Sequence, residues 1–168
     1  ISGHFNNFEL MAMEIERSGI NLAAIYRPLN NIFLNKTMEK IRTNYICKNQ
    51  IKKGKSGTRQ VVDLIRKGFS IALMIDQRVS EGESIKFFSR YAKTTTIPAQ
   101  LVKKYKLKVV PVYIFRSMGT NFEIVFEKPI KFNETDTINE ITLKLNKILE
   151  NMIVKNPEQW IWSHNRWK

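Results

Sequence analysis

Cysteine occurs once in these 168 residues, at Cys47, so no disulfide can form within the chain. That suits a reducing compartment. With no base near it in sequence, Cys47 reads as a buried structural thiol. Histidine occurs twice, at His4 and His164. With a single cysteine, that set is too sparse and too scattered to ligate a metal, and none is expected. Glycine (7) and proline (5) are few, and no linker, repeat or low-complexity tract breaks the pattern. No run approaches the ~20 apolar residues of a membrane span. There is no signal peptide and no initiator Met. The chain opens on Ile1-Ser2-Gly3-His4 as if a strand had been cut, so an upstream segment carrying any membrane anchor is expected. Acid is scarce as well: 15 Asp and Glu stand against 28 Lys and Arg, a net charge of +13. A surplus that large predicts an anionic partner, whether nucleic acid, anionic membrane, phosphorylated lipid or acidic protein.

What the chain does have is apolar mass. Hydrophobic residues make up 43%, with ten Phe, five Tyr and three Trp, which excludes disorder. The length fits one domain over residues 1–168 with a real core. Periodicity then alternates helix and strand. Asn6 or Asn7 caps a predicted helix to about Arg17, ended by Gly19. Leu22 to Tyr26 reads as a strand stopped by Pro28, and Asn30 or Asn31 opens a helix toward Arg42. Ser56 caps a third helix that ends at Gly68. Phe69 to Ile75 is an apolar run expected to be a strand covered on both sides. A loop is expected from Asp76 to about Thr95. A helix face follows at Ile97, Leu101, Val102 and Tyr105. Val109 to Phe115 reads as a strand, and Phe122 to Phe126 as its antiparallel neighbour through Gly119. Ile138 to Met152 is a long amphipathic helix closed by Pro157. These features imply an α/β fold, a mostly parallel sheet with helices on both faces and some antiparallel pairing near the C-terminal half. In such sheets ligands bind at the carboxyl ends of the strands. His4, Arg27 and Asp76 all fall just after predicted strands.

The sharpest local feature is His4-Phe-Asn-Asn-Phe-Glu9, an imidazole five positions before a carboxylate. On one continuous helix these would diverge by ~140°. With His4 before the helix and Glu9 in its first turn, the bend can bring them together as a general base and its orienting partner. The helix N-terminus would disfavour a protonated imidazole and favour a developing oxyanion.

Further blocks follow in order: Tyr26-Arg27-Pro28-Leu29-Asn30-Asn31, then Lys53-Gly54-Lys55 with Arg59, and Asp76-Gln77 after the apolar run. Next come Phe87-Phe88, Ala92 with Thr94 to Thr96, and Val110-Pro111. The series ends in Pro157-Glu158-Gln159-Trp160, Trp162-Ser163-His164 and Arg166-Trp167-Lys168. Taken together they resemble the late acyltransferases of lipid A assembly, the lauroyl/myristoyl transferases, within the lysophospholipid acyltransferase superfamily. The resemblance covers nearly the whole chain. In that family an N-terminal membrane helix precedes this region.

The resemblance implies a single O-acyltransferase domain over 1–168. It implies transfer of a fatty acyl group from acyl carrier protein, or sometimes coenzyme A, to a hydroxyl of a phosphorylated lipid A precursor. His4 matches the family's general base and Glu9 its acidic partner. Arg27 matches an arginine thought to engage acceptor phosphate or the reacting groups, for which its planar fork is suited. Asn30, Asn31, Asp76 and Gln77 are further substrate-binding candidates, with helix capping the competing role for the asparagines and turn formation for Asp76. No cofactor is implied beyond the acyl thioester co-substrate. The expected partners are acyl carrier protein, the phosphorylated precursor and the anionic inner membrane at its cytoplasmic face, in a Gram-negative bacterium making lipopolysaccharide, with no nucleic acid. His164 is expected to pack among Trp160, Trp162 and Trp167. The chain departs from the family's usual His-Phe-Gly-Asn-Trp-Glu at Asn6 and Phe8. Asn tolerates positive φ better than most residues, so the turn can survive. Two other readings stand beside this one: an acyltransferase with a glycerolipid or amino-lipid acceptor, and a basic nucleic-acid-binding module. The second lacks both zinc-finger spacing and an RNA-recognition aromatic motif.

Overall fold

The structure, a computed structural model, describes residues 1–168 apart from the side chain of Lys55, so that member of the basic Lys53-Gly54-Lys55 block lies outside the described part. The chain, read above as one domain, falls into two compact units. One is Phe8–Leu73; the other joins Ile1–Asn7 to Met74–Lys168.

The first unit is built on parallel strands. Helix α1 (Phe8–Arg17) leads into β1 (Leu22–Tyr26), the predicted strand residue for residue. Helix α2 (Ile32–Ile41) follows, and its last turn widens into a π-helical turn over Arg42–Ile46. Next come β2 (Asn49–Lys52), α3 (Lys55–Arg66) and β3 (Ser70–Ala72). Strand β1 is central, pairing in parallel with β2 through Ala23–Asn49 to Tyr26–Lys52 and with β3 through Leu22–Ser70 to Ala24–Ala72. Leu22, Ala23, Cys47, Ile51, Met11 and Val61 are the unit's buried apolar residues. Cys47 is thus the buried thiol expected, and burial pushes it up to about 11. Helix α3 is capped by Gly54, and Ser56 lies inside its first turn. The predicted strand over 69–75 is shorter than expected: regular pairing covers only Ser70–Ala72, and Met74 makes a lone parallel bridge to Ser2.

The second unit holds two antiparallel hairpins, two α-helices and a 3-10 turn over Pro157–Gln159. Strands β4 (Glu83–Phe87) and β5 (Arg90–Thr94) occupy the stretch predicted as loop. Both alternate exposed and buried residues, with Ile85, Phe87, Ala92 and Thr94 inside. Helix α4 (Ile97–Tyr105) contains all four residues of the expected face. Strands β6 (Val112–Met118) and β7 (Asn121–Phe126) form the expected antiparallel pair. The sequence placed β6 three residues early, and Val109 instead bridges Ile130. Helix α5 (Ile138–Lys155) starts on a capping box between Thr137 and Glu140. It buries Ile141, Leu145, Leu149, Met152 and Ile153 along one stripe. The fold is therefore α/β, with a parallel three-stranded sheet and antiparallel pairs in the later half. Among the described residues no helix is long and apolar enough to cross a membrane.

Candidate active site

In the second unit the opening segment is threaded between two others. Ser2 bridges Met74, and Ile75 N–H donates to the Ser2 carbonyl at 3.0 Å. On the other side Phe5 pairs antiparallel with Trp160, Ile161 N–H donates to the His4 carbonyl at 3.0 Å, and Asn6 N–H donates to the Gln159 carbonyl at 2.8 Å. These backbone contacts bring together three residues that are far apart in sequence: His4, Asp76 and Trp160. Gly3 permits the close approach. A Cβ there would come within 2.9 Å of Leu149 Cδ1, 3.1 Å of Phe5 Cε2 and 3.4 Å of Asp76 Cγ. Asn6 takes the turn at φ +32°, a conformation that asparagine accepts where the related motif carries glycine.

Asp76 gathers three hydrogen bonds. Its Oδ1 lies 2.7 Å from His4 Nδ1, and its Oδ2 accepts from His4 N–H at 2.7 Å and from Trp160 Nε1–H at 2.9 Å. Asp76 is 3% exposed and the His4 side chain 20%. Burial, the largest influence, pushes the Asp76 carboxyl up. The hydrogen bonds and charge of His4, with the Trp160 indole, more than offset it and hold the carboxyl below its ordinary value. An ionised carboxylate only accepts, so in the neutral imidazole the proton is assigned to Nδ1 and the lone pair to Nε2. That is the tautomer a general base requires.

Two further groups surround this pair. His164 Nε2 accepts from Arg78 N–H at 2.9 Å, so its ring serves the 76–78 segment. Burial lowers its affinity for a proton. The Arg166, His4 and Arg78 charges act in the same direction, and Asp76 opposes them. Arg166 is fully buried, donating to the Lys93 carbonyl at 2.8 Å and to Thr94 Oγ1 at 2.7 Å, with its guanidinium 5.0 Å from the Phe87 ring centroid. Burial pulls it down to about 10, and Asp76 partly opposes that shift. Trp160 stacks edge-on to Trp162 and to Phe87, which also meets Trp167. Gln77 lies exposed beyond Asp76. The sequence singled out Trp160 as part of an aromatic terminus, without its hydrogen bond to Asp76. A buried indole N–H needs an acceptor, and that need was the available signal.

The remaining candidates belong to the other unit. Glu9 stands in the first turn of α1, where its Oε1 accepts from Arg42 Nε at 2.9 Å and from Arg42 Nη2 at 2.6 Å. Arg42 lies 5.7 Å from the Tyr26 ring centroid. Tyr26 donates its phenol to Glu39 Oε1 at 2.6 Å, and Glu39 also takes Asn35 Nδ2–H at 2.8 Å and Lys52 Nζ at 3.0 Å. Those hydrogen bonds hold Glu39 down at about 2. Burial first, then Glu39, pushes the Tyr26 phenol up. Arg27 is exposed just past the end of β1, and Asn30 is exposed beyond it. Asn31 is the N-cap of α2, its Oδ1 accepting from Phe33 N–H at 3.0 Å and Leu34 N–H at 3.1 Å. The Tyr26–Glu39 and Glu9–Arg42 pairs were not anticipated, since nothing in a linear reading pairs residues 13 or 33 positions apart. Among the described residues, no group of three or more His, Cys, Asp or Glu could hold a metal ion.

The chain matches, over residues 1–168, the family described as bacterial lipid A biosynthesis acyltransferase. It is 26% identical over 151 residues to the lipid A biosynthesis palmitoleoyltransferase of Escherichia coli (strain K12), covering 88% of this chain and 48% of that protein. The lipid A biosynthesis acyltransferase of Shigella flexneri matches at the same 26% over 151 residues, with the same coverage of 88% and 48%. The chain thus spans about half the length of these relatives. With the match running from Ile1 to Lys168, this chain belongs to the bacterial lipid A biosynthesis acyltransferases.

Proposed function

We propose that the protein transfers a fatty acyl group from an acyl carrier protein thioester to a hydroxyl of a phosphorylated lipid A precursor, with His4 as general base. The observation that carries this reading is the 2.7 Å contact between His4 Nδ1 and Asp76 Oδ1, which leaves Nε2 as the basic nitrogen. A lipid hydroxyl is a poor nucleophile at neutral pH until its proton is removed in the transition state. His4 Nε2 takes that proton as the oxygen attacks the thioester carbonyl. The tetrahedral oxyanion collapses, the carbon–sulfur bond breaks, and the imidazolium returns the proton to the departing thiolate. The products are an ester and a free carrier thiol, with no covalent enzyme intermediate. Asp76 holds the imidazole orientation and stabilises the imidazolium, the part a carboxylate plays in hydrolase triads. Glu9 is the second acidic candidate, implied by the family's His-x4-acid pattern, and it engages Arg42 within its own unit. Arg27 is the candidate for acceptor phosphate, since its fork is exposed at a strand end. Asn30 and Gln77 are the remaining candidates for contact with substrate, and the Asn31 amide is committed to capping α2.

The net charge of +13 supports an acidic carrier protein, a phosphorylated acceptor and a station at the cytoplasmic face of the inner membrane. The test is an assay of the protein with acyl carrier protein thioesters of several lengths and a phosphorylated precursor, reading the product by mass spectrometry. Wild type should add one acyl ester, and His4→Ala should lower the rate by about 10²–10⁴-fold. Equal rates for the two proteins would contradict the mechanism. Acylation of a glycerolipid in place of the precursor would move the acceptor to the other reading.

A further inference from the structure

Helix α2 is amphipathic the wrong way round for a helix packed on a core. Asn35, Met38 and Glu39 mark its half-buried side at helical spacing, and Arg42 continues that side just past its end. The polar members of that side are bound. Asn35 accepts from Leu29 N–H and donates to Glu39, Glu39 also takes Tyr26 and Lys52, and Arg42 donates to Glu9. Phe33 stands on the opposite side, with Ile32 and Leu34 flanking it. Phe33 is 85% exposed, Ile32 71% and Leu34 57%, and no residue of the helix is buried. Leu29, just before the helix, is exposed too. Lys36 and Lys40 occupy the later turns of the same exposed side, and Glu39, the helix's one acid, is turned away from it.

We propose that this face of α2 is a docking surface for an anionic lipid bilayer. The first turn would insert Ile32, Phe33 and Leu34 past the headgroups, and Lys36 and Lys40 would meet lipid phosphates behind them. A bilayer accounts for both chemistries, an apolar interior below and anionic charge at the interface. A second copy of the chain would set lysine against lysine, and an acidic protein surface would leave the apolar turn without a counterpart. Because the lysines share the side of Phe33, the helix enters at a tilt with its first turn deepest, and at ten residues it is far too short to span. This deepens the membrane station proposed above by naming the face that makes it, and it rests on that reading only for the choice of lipid.

Co-sedimentation of the protein with vesicles of phosphatidylethanolamine and phosphatidylglycerol tests it, with phosphatidylcholine vesicles as the uncharged comparison. Phe33→Glu should lower partitioning by at least about tenfold, the fold-change expected from losing one buried aromatic anchor. The pair Lys36→Glu/Lys40→Glu should lose binding on anionic vesicles. The pair Lys128→Glu/Lys131→Glu changes the charge equally at exposed lysines of the other unit and should retain binding. Binding of Phe33→Glu equal to wild type, equal loss from the control pair, or no wild-type binding would each overturn the assignment. So would a dimer in solution that Phe33→Glu dissociates while vesicle binding persists. Acyl transfer to detergent-dispersed precursor is read in parallel. A docking-defective variant should keep that turnover, whereas failure of the catalytic reading appears as absent turnover with docking intact.

Discussion

Asp76 illustrates how much one buried carboxylate can carry. It is nearly inaccessible, accepts three hydrogen bonds and is held below its ordinary value. Because the folded carboxyl is harder to protonate than the unfolded one, its stabilising contribution is fully present above about pH 4 and is lost as pH falls through the lowered value. Denaturant unfolding of wild type and Asp76→Asn should therefore differ most near neutral pH and converge in acid. A gap that stays constant from about pH 6 to about pH 3 would contradict the three-donor account. Both members of the His4–Asp76 pair were picked out of the sequence, but in separate roles. They stand 72 positions apart, and the Ser2–Met74 bridge with the Ile75 N–H to Ser2 carbonyl bond sets their segments side by side. Glu9 was legible as a partner because local spacing is visible in a string and strand pairing is not.

The elements divide in the same way. Strand β1 was read to the residue and the face of helix α4 was recognised, because strong periodicity and nearby punctuation define them. The β4–β5 hairpin was missed although its strands alternate cleanly. Its turn is Phe88-Ser89, at φ +46° and +64°, with neither the glycine nor the asparagine that announces a two-residue hairpin. Glu150 holds that turn by accepting Phe88 N–H at 2.8 Å, a compensation from a distant helix. Asn31 offers a direct test of capping against substrate contact. Its Oδ1 satisfies two of the N–H groups that open α2. Asn31→Ala should lower unfolding stability by about 1 kcal/mol, and Asn31→Asp should restore it, since a carboxylate caps and favours the helix dipole. Unchanged melting in the alanine variant would show that the cap contributes nothing.

Across the entire chain, composition indicated a real core, the alternating periodicity indicated an α/β protein, and the ordered series of motifs carried the family. The opposite polarity of α2 was invisible beforehand. Three consecutive apolar residues, Ile32, Phe33 and Leu34, spread over about 200° of a helix, so the string does not say which side turns inward. The same is true of Arg166, a terminal arginine that resembles a surface cation and is fully buried. Turnover of Asp76→Asn beside Glu9→Gln, with the carrier thioester and phosphorylated precursor, tests the His4–Asp76 pairing most directly. With the amide variant folded at pH 7, kcat/KM for Asp76→Asn should fall by about 10²–10⁴-fold, because an amide can no longer fix the Nδ1–H tautomer. Wild-type turnover in Asp76→Asn, with the loss appearing only in Glu9→Gln, would contradict the pairing and give the orienting role to Glu9.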